Sequence, residues 1–190
     1  MAWVPSLERL MVGNKRYVSS RQIHPHQAAE HRAALHDGQC PFAVILGCSD
    51  SRVPPEVIFD QGLGDLFVIR VAGNVIDDLV LASIEYAAAH LHTPLIMVLG
   101  HSQCGAITAT ANGGEFHGHL SCVANALQSA VNAAKDQPGE LVNNAAKANA
   151  RMLAKLLQKS EPILSGLVAS ERLKVFAAYY DMDSGVVEIL

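Results

Sequence analysis

Three short apolar runs dominate the middle of the chain: Phe42 to Leu46, the stretch from Asp65 to Val71, and Leu95 to Leu99. Strands of a parallel sheet buried on both faces read this way, without the alternation of a half-exposed strand. Between the second and third runs, Leu79, Leu81, Ile84, Ala88 and Leu91 recur at helical spacing, which predicts a helix over 76–92 beginning after Asn74. The three segments form a βαβ unit, whose crossover is expected to be right-handed. Upstream, Leu7, Leu10 and Met11 follow Ser6, the pattern of a capped amphipathic helix broken near Gly13, and a polar second helical segment spans Gln27–His36. Both offer little apolar surface for a core of their own and suit packing across another subunit. Downstream, the periodicity predicts helices over Leu120–Ala134, Leu141–Gln158 and, shorter, Ile163–Ala169, then a strand over Leu173–Tyr180. Asp181 to Gly185 is turn chemistry leading into a last short strand, Val186–Leu190, so an antiparallel edge pair is expected. The predicted class is therefore α/β: a mainly parallel central sheet with an antiparallel edge strand, flanked by helices, with the N-terminal helices at a subunit interface.

Composition narrows this picture. The 190 residues are 50% hydrophobic, enough for a sizeable core, and no repeat or Pro/Gly linker divides them, so residues 1–190 are read as one domain. No run approaches the roughly 18 consecutive apolar residues of a membrane span, and the opening stretch carries charges where a signal peptide is apolar. The expected location is the cytoplasm. The balance of 14 Lys plus Arg against 18 Asp plus Glu gives −4 with no basic block, which disfavours nucleic acid and anionic membrane as partners and leaves a small molecule. Cys40, Cys48, Cys104 and Cys122 form no C-x-x-C pair and no dense framework, so in a reducing compartment they are free to act as thiolate ligands.

The chemistry concentrates where two of the apolar runs end. The first runs into Gly47-Cys48-Ser49-Asp50-Ser51-Arg52, the third into Gly100-His101-Ser102-Gln103-Cys104-Gly105. In an open α/β sheet, ligands bind beyond the carboxyl ends of the strands where the winding reverses, so topology brings two such distant segments together. Two thiolates and one imidazole suit zinc, and three protein ligands leave a fourth position for water, as in catalytic rather than structural sites. The soft donor set disfavours Mg²⁺, Ca²⁺ and Mn²⁺, while Co²⁺ or Fe²⁺ could occupy the same site. A lone Cys48 would read as a small core hydrophobe. Asp50 and Arg52 weigh against that, since charges at the end of an apolar strand are costly unless they pair or meet a metal.

Through these residues the chain resembles the β-class carbonic anhydrases. The likeness runs from about Gln39 to Gly105: C-S-D-S-R, then Arg70 and Asn74, then Ile84-Glu85-Tyr86, then G-H-S-x-C-G, with a weaker likeness near Ala178 to Asp181. The resemblance implies reversible hydration of carbon dioxide to bicarbonate, with Cys48, His101 and Cys104 as ligands of one Zn²⁺ per chain and Asp50 and Arg52 as a dyad beside it. Paired with Arg52, Asp50 would leave the metal open; released, it could become a fourth ligand and close the site. Family members that switch in this way carry Trp where this chain has Ile45, and those that do not carry Gln at the position of Gln39. An open, non-switching, plant-type-like site is therefore expected. By the same resemblance Gln39 donates to a substrate oxygen, Phe67, Tyr86 and Gly105 shape the substrate slot, and the slot lies at a subunit interface, which implies a homodimer or dimer-based oligomer. Zinc lowers the pKa of bound water from 15.7 to about 7. Two thiolates would weaken that effect relative to three imidazoles, so activity should rise on the alkaline side.

Other signals carry less. His24-Pro-His26 and His117-Gly-His119 lack Cys or carboxylate partners at ligand spacing and read as solvated loop histidines. Gly62-Leu63-Gly64 is a turn rather than a dinucleotide fingerprint. Arg70 fits either an anion-binding role or a structural ion pair, and Cys40 and Cys122 read as structural. Rival readings are hydrolysis of carbonyl sulfide or carbon disulfide, a non-catalytic zinc module in which Asp50 fills the fourth position, and a hydrolase with a Cys nucleophile, which two Cys competing for one His disfavour.

Overall fold

The computed structural model describes all 190 residues. In chain order the elements are α1 (Trp3–Val18), α2 (Ala29–Ala34), β1 (Ala43–Gly47), α3 (Pro55–Ile58), β2 (Leu66–Arg70), a 3₁₀ turn (Ala72–Asn74), α4 (Asp78–Ala89), β3 (Leu95–His101), α5 (Gly105–Asn112), α6 (Leu120–Ala134), α7 (Leu141–Gln158), α8 (Leu164–Ala169), β4 (Lys174–Tyr180) and β5 (Val187–Ile189). The five strands form one sheet in the order β2-β1-β3-β4-β5, parallel except for β5, which pairs antiparallel with β4. No helix is long and apolar enough to cross a membrane.

β1 and β3 are buried along their whole length and feed both faces: Ala43, Ile45, Leu95, Met97 and Leu99 join one apolar cluster, Val44, Leu46, Ile96 and Val98 the other. The two-residue period of a strand thus builds two cores from one unbroken apolar run. β2 differs from expectation. It is a sheet edge, its apolar residues are only partly buried, and Arg70 is exposed. β2 and β3 are not neighbours either: β1 lies between them, so the helical crossover passes over a third strand.

Three helical details depart from the periodicity. α1 starts before Ser6, which is buried within it rather than capping it, and continues through Gly13. Gly13 is a point of close approach: a Cβ there would lie 1.8 Å from the Phe59 carbonyl oxygen. α1 packs on its own chain through the fully buried Leu10, the buried Asn14, and ion pairs from Arg9 to Asp65 and Arg16 to Asp60. α2 buries no residue at all. α4 is capped by Asp77, whose carboxylate accepts from the Val80 N–H at 2.8 Å, and it buries Val80, Ile84, Ala87 and Ala88 while Leu79 is 79% exposed. The cap fixes the first turn; Ile84 and Ala88 are buried as the spacing predicts, and Val80 takes the inward place of the exposed Leu79.

Candidate metal centre

The order β2-β1-β3 places the reversal of winding between β1 and β3, and their register pairs Gly47 with Leu99. Cys48, one step past β1, therefore meets His101 at the end of β3 and Cys104 just beyond it. All three are buried, at 5%, 1% and 1% exposure, and their ligand atoms lie within 4.8 Å of one another. Donors of a tetrahedral zinc ion lie roughly 3.5–3.8 Å apart, given bonds of about 2.3 Å to sulfur and 2.0 Å to nitrogen, so this spacing is compatible with one ion.

The imidazole supplies the sharper test of fit. His101 Nδ1–H donates to the Ser102 carbonyl at 2.8 Å, which leaves Nε2 as the bare nitrogen. That Nε2 is buried and has no hydrogen-bond partner. An orphaned buried acceptor is costly unless something meets it, and orientation through Nδ1 is how metal-binding imidazoles are held. Ser102 is itself fixed, its N–H donating to the Tyr180 carbonyl at 3.0 Å and its Oγ accepting from the Met182 N–H at 2.9 Å.

The two thiols share a proton unequally. A hydrogen bond from Cys104 lowers the Cys48 thiol to about 4 against the opposing effect of burial, helped by the N–H groups of Asp50 and Gly73, each 3.4 Å from Sγ. Its partner Cys104 moves far upward, because it donates to that thiolate and is buried, although the Ile107 and Ala106 N–H groups at the start of α5 pull the other way. A thiolate beside a thiol is a donor pair ready to lose its last proton to a cation.

Asp50 and Arg52 form a two-pronged pair: Arg52 Nε donates to Oδ1 at 2.9 Å and Nη2 to Oδ2 at 2.7 Å, with the Arg52 N–H also on Oδ1 at 3.0 Å. Arg52 Nη2 further reaches the Gln103 carbonyl, tying the two ligand loops together. The guanidinium holds the Asp50 carboxyl far below the usual carboxylate range, against a smaller upward push from burial. Arg70 forms no ion pair. It donates from Nε to the Cys48 carbonyl at 2.9 Å and from Nη2 to the Asp50 carbonyl at 2.6 Å, and so clamps the backbone of the first ligand loop.

The slot residues do not join this group within one chain. Gln39 is exposed in the stretch between α2 and β1. Phe67 belongs to the apolar cluster on the opposite sheet face from Cys48 and Cys104, its ring 6.2 Å from that of Tyr86, which is 48% exposed on α4. Gly105, the first residue of α5, lines an apolar hollow of about 320 Å³ with Ala72, Ala106, Phe116, Leu120 and Val123. The histidine pairs also divide. His117 and His119 are exposed loop residues, whereas His26, read as lacking a carboxylate partner, has one 39 residues away: its Nδ1 bonds Asp65 at 2.8 Å, and its ring stacks on His31 at 4.2 Å.

A doubly wound α/β sheet with a buried Cys-His-Cys group at its switch point defines a class of protein whose site could hold a metal ion. The carbonic anhydrase family model matches residues 43–187. Carbonic anhydrase 2 of Mycobacterium tuberculosis is 58% identical over 106 residues, 56% of this chain and 51% of that protein, so the chain spans about half the length of this relative. A carbonic anhydrase of Pseudomonas aeruginosa is 35% identical over 169 residues, covering 83% of this chain and 76% of that one. Among solved structures, a tetrameric β-carbonic anhydrase of Sordaria macrospora superposes with a TM-score of 0.78 at 28% identity, covering 98% and 97% of the two chains. The chain belongs to the β-class carbonic anhydrases.

Proposed function

We propose that this protein is an enzyme, a carbonate dehydratase that interconverts carbon dioxide and bicarbonate, with one zinc ion per chain held by Cys48, His101 and Cys104. The observation that carries the reading is the buried, unpartnered Nε2 of His101 in a group with two cysteine sulfurs. When bound, zinc makes a water molecule acidic enough to supply hydroxide near neutral pH.

The chain's own residues define what surrounds that nucleophile. Oδ1 of Asp50 accepts two N–H groups from Arg52 and Oδ2 only one, so Oδ2 keeps room to accept the O–H of the attacking group. Because Arg52 keeps the carboxyl ionised, Asp50 orients that O–H and does not take its proton, which must leave to buffer. The same ion pair restrains Asp50 from serving as a fourth ligand, which supports an open, non-switching site, as do Ile45 and Gln39 in the sequence. The apolar hollow begins at Gly105 and Ala72, the chain neighbours of Cys104 and Gly73, and an uncharged linear substrate suits such a lining. Gln39, Phe67 and Tyr86 complete the slot from a second copy. Their separation from Cys48 within one chain and the exposure of Gln39 and Tyr86 support this, and the Sordaria macrospora relatives are described as tetrameric. The expected setting is the cytoplasm.

The test is metal content measured beside a stopped-flow assay of carbon dioxide hydration across pH. One zinc per chain and activity rising on the alkaline side are expected. Hydration by metal-free protein, or none by zinc-replete protein at alkaline pH, overturns the reading.

A further inference from the structure

Asn149 is the one polar residue on the buried face of α7, whose other buried members are Ala145, Ala146, Ala150, Ala154 and Leu157. It is only 3% exposed. A carboxamide in that position costs stability unless its donors are met. Its Nδ2 donates to the Gly73 carbonyl at 3.1 Å and lies 3.5 Å from Asn74 Oδ1. Asn149 therefore holds the 3₁₀ turn Ala72–Asn74 from one side.

That turn aims a donor at the candidate metal centre. Gly73, with φ 66° and ψ 16°, directs its N–H at Cys48 Sγ, 3.4 Å away. Only glycine suits the conformation and the space, since a Cβ would come within 2.8 Å of Leu127 on α6. Leu127 thus packs under the turn and Asn149 grips its carbonyl. The other side-chain donor in the turn, Asn74 Nδ2, is buried without a partner, so the grip on Gly73 comes from Asn149.

We propose that Asn149 is a positioning residue for the metal centre: through the Gly73 carbonyl it fixes the Gly73 N–H on the Cys48 sulfur, and so sets how strongly that sulfur donates to a bound metal. The inference rests on the zinc reading above. Partners of this kind, one step behind the ligands, typically change metal affinity 10–100-fold when removed.

The test is Asn149→Leu, which removes the donor, excludes a substituting water and suits a helix interior, compared with Leu157→Ala, which opens a cavity on the same helix face without touching the turn. Both are loaded with cobalt(II) for the sulfur-to-cobalt charge-transfer band and with zinc for competition against EDTA. For Asn149→Leu the band should move to longer wavelength, since a sulfur that loses its N–H donor holds its lone pairs less tightly, and zinc affinity should fall about 10–100-fold. Leu157→Ala should change neither. Should Asn149→Leu not fold, Asn149→Ala on this alanine-rich face carries the same comparison. An unshifted band and unchanged zinc affinity overturn the role of Asn149 while leaving the metal centre intact. Failure of the wild-type protein to take up cobalt overturns the metal centre itself, and the inference with it.

Discussion

Asp50→Asn separates orientation of the nucleophile from construction of the site. The substitution keeps shape and volume but replaces one oxygen by an NH₂ group. If the amide keeps oxygen at the Oδ1 position, the two Arg52 donors there stay satisfied, while NH₂ faces Arg52 Nη2 across a contact that was 2.7 Å. The opposite orientation is worse, because NH₂ then faces both donors on Oδ1. Either way, the oxygen proposed to accept the O–H of the nucleophile is lost or displaced. A hydrogen bond to a charged group contributes about 1.5–3 kcal/mol, and at about 1.4 kcal/mol per decade its loss from the transition state lowers kcat/KM roughly 10–150-fold. Stability should move less than activity, since the Arg52 side chain is 52% exposed and water screens the lost pairing. The assay is carbon dioxide hydration by zinc-replete protein, with metal content and Tm measured on the same sample. Full activity refutes the orienting role, and loss of zinc from Asp50→Asn refutes the placing of Asp50 outside the ligand set.

Cys104→Ser should lose zinc and activity together, since a hydroxyl is a poor substitute for thiolate on zinc; metal analysis that finds full occupancy sinks the ligand assignment. Gly13→Ala gains about 1 kcal/mol of helix propensity but sets a Cβ 1.8 Å from the Phe59 backbone, so a net loss of about 2 kcal/mol is expected in urea unfolding; a stabilised variant disproves the close packing of α1. Burial pushes the Asp60 carboxyl up, but Arg16 and the N–H groups of Ile23 and His24 outweigh it and leave it below its ordinary value. A depressed carboxylate contributes stability that is complete above its unfolded value of about 3.9 and is lost as pH falls through the lower folded value. Asp60→Asn should therefore cost about 2–3 kcal/mol near neutrality and progressively less below about pH 4; a difference in urea midpoint that persists unchanged into acid contradicts this.

Much of the fold is legible because its signals are local. Buried strands need unbroken apolar runs, so β1, β3 and β4 stand out, and the periodic apolar faces of α6 and α7 give those helices to the residue. Partners distant in sequence are what periodicity leaves out. Gly13 looks like a break because glycine weakens helices, yet it is there to admit the Phe59 backbone 46 positions on. His26 looks unpartnered until Asp65 is folded against it, and Asn149 looks like an ordinary helix residue until Gly73 lies beneath it. β2 reads like β1 because apolar content does not reveal which strand ends up at an edge.

The candidate site divides in the same way. Sequence alone determined that Cys48, His101 and Cys104, residues of ligand type, stand at strand ends, because donor chemistry and strand signals are both written in neighbouring residues. Tertiary structure decided that β1 and β3 lie side by side, that His101 turns its bare Nε2 inward, that Arg52 grips Asp50, and that Arg70 and Gly73 serve the backbone and sulfur of the first ligand loop. Those are matters of strand order, orientation and approach across tens of residues, and they are settled only when the two cores close on either face of the sheet.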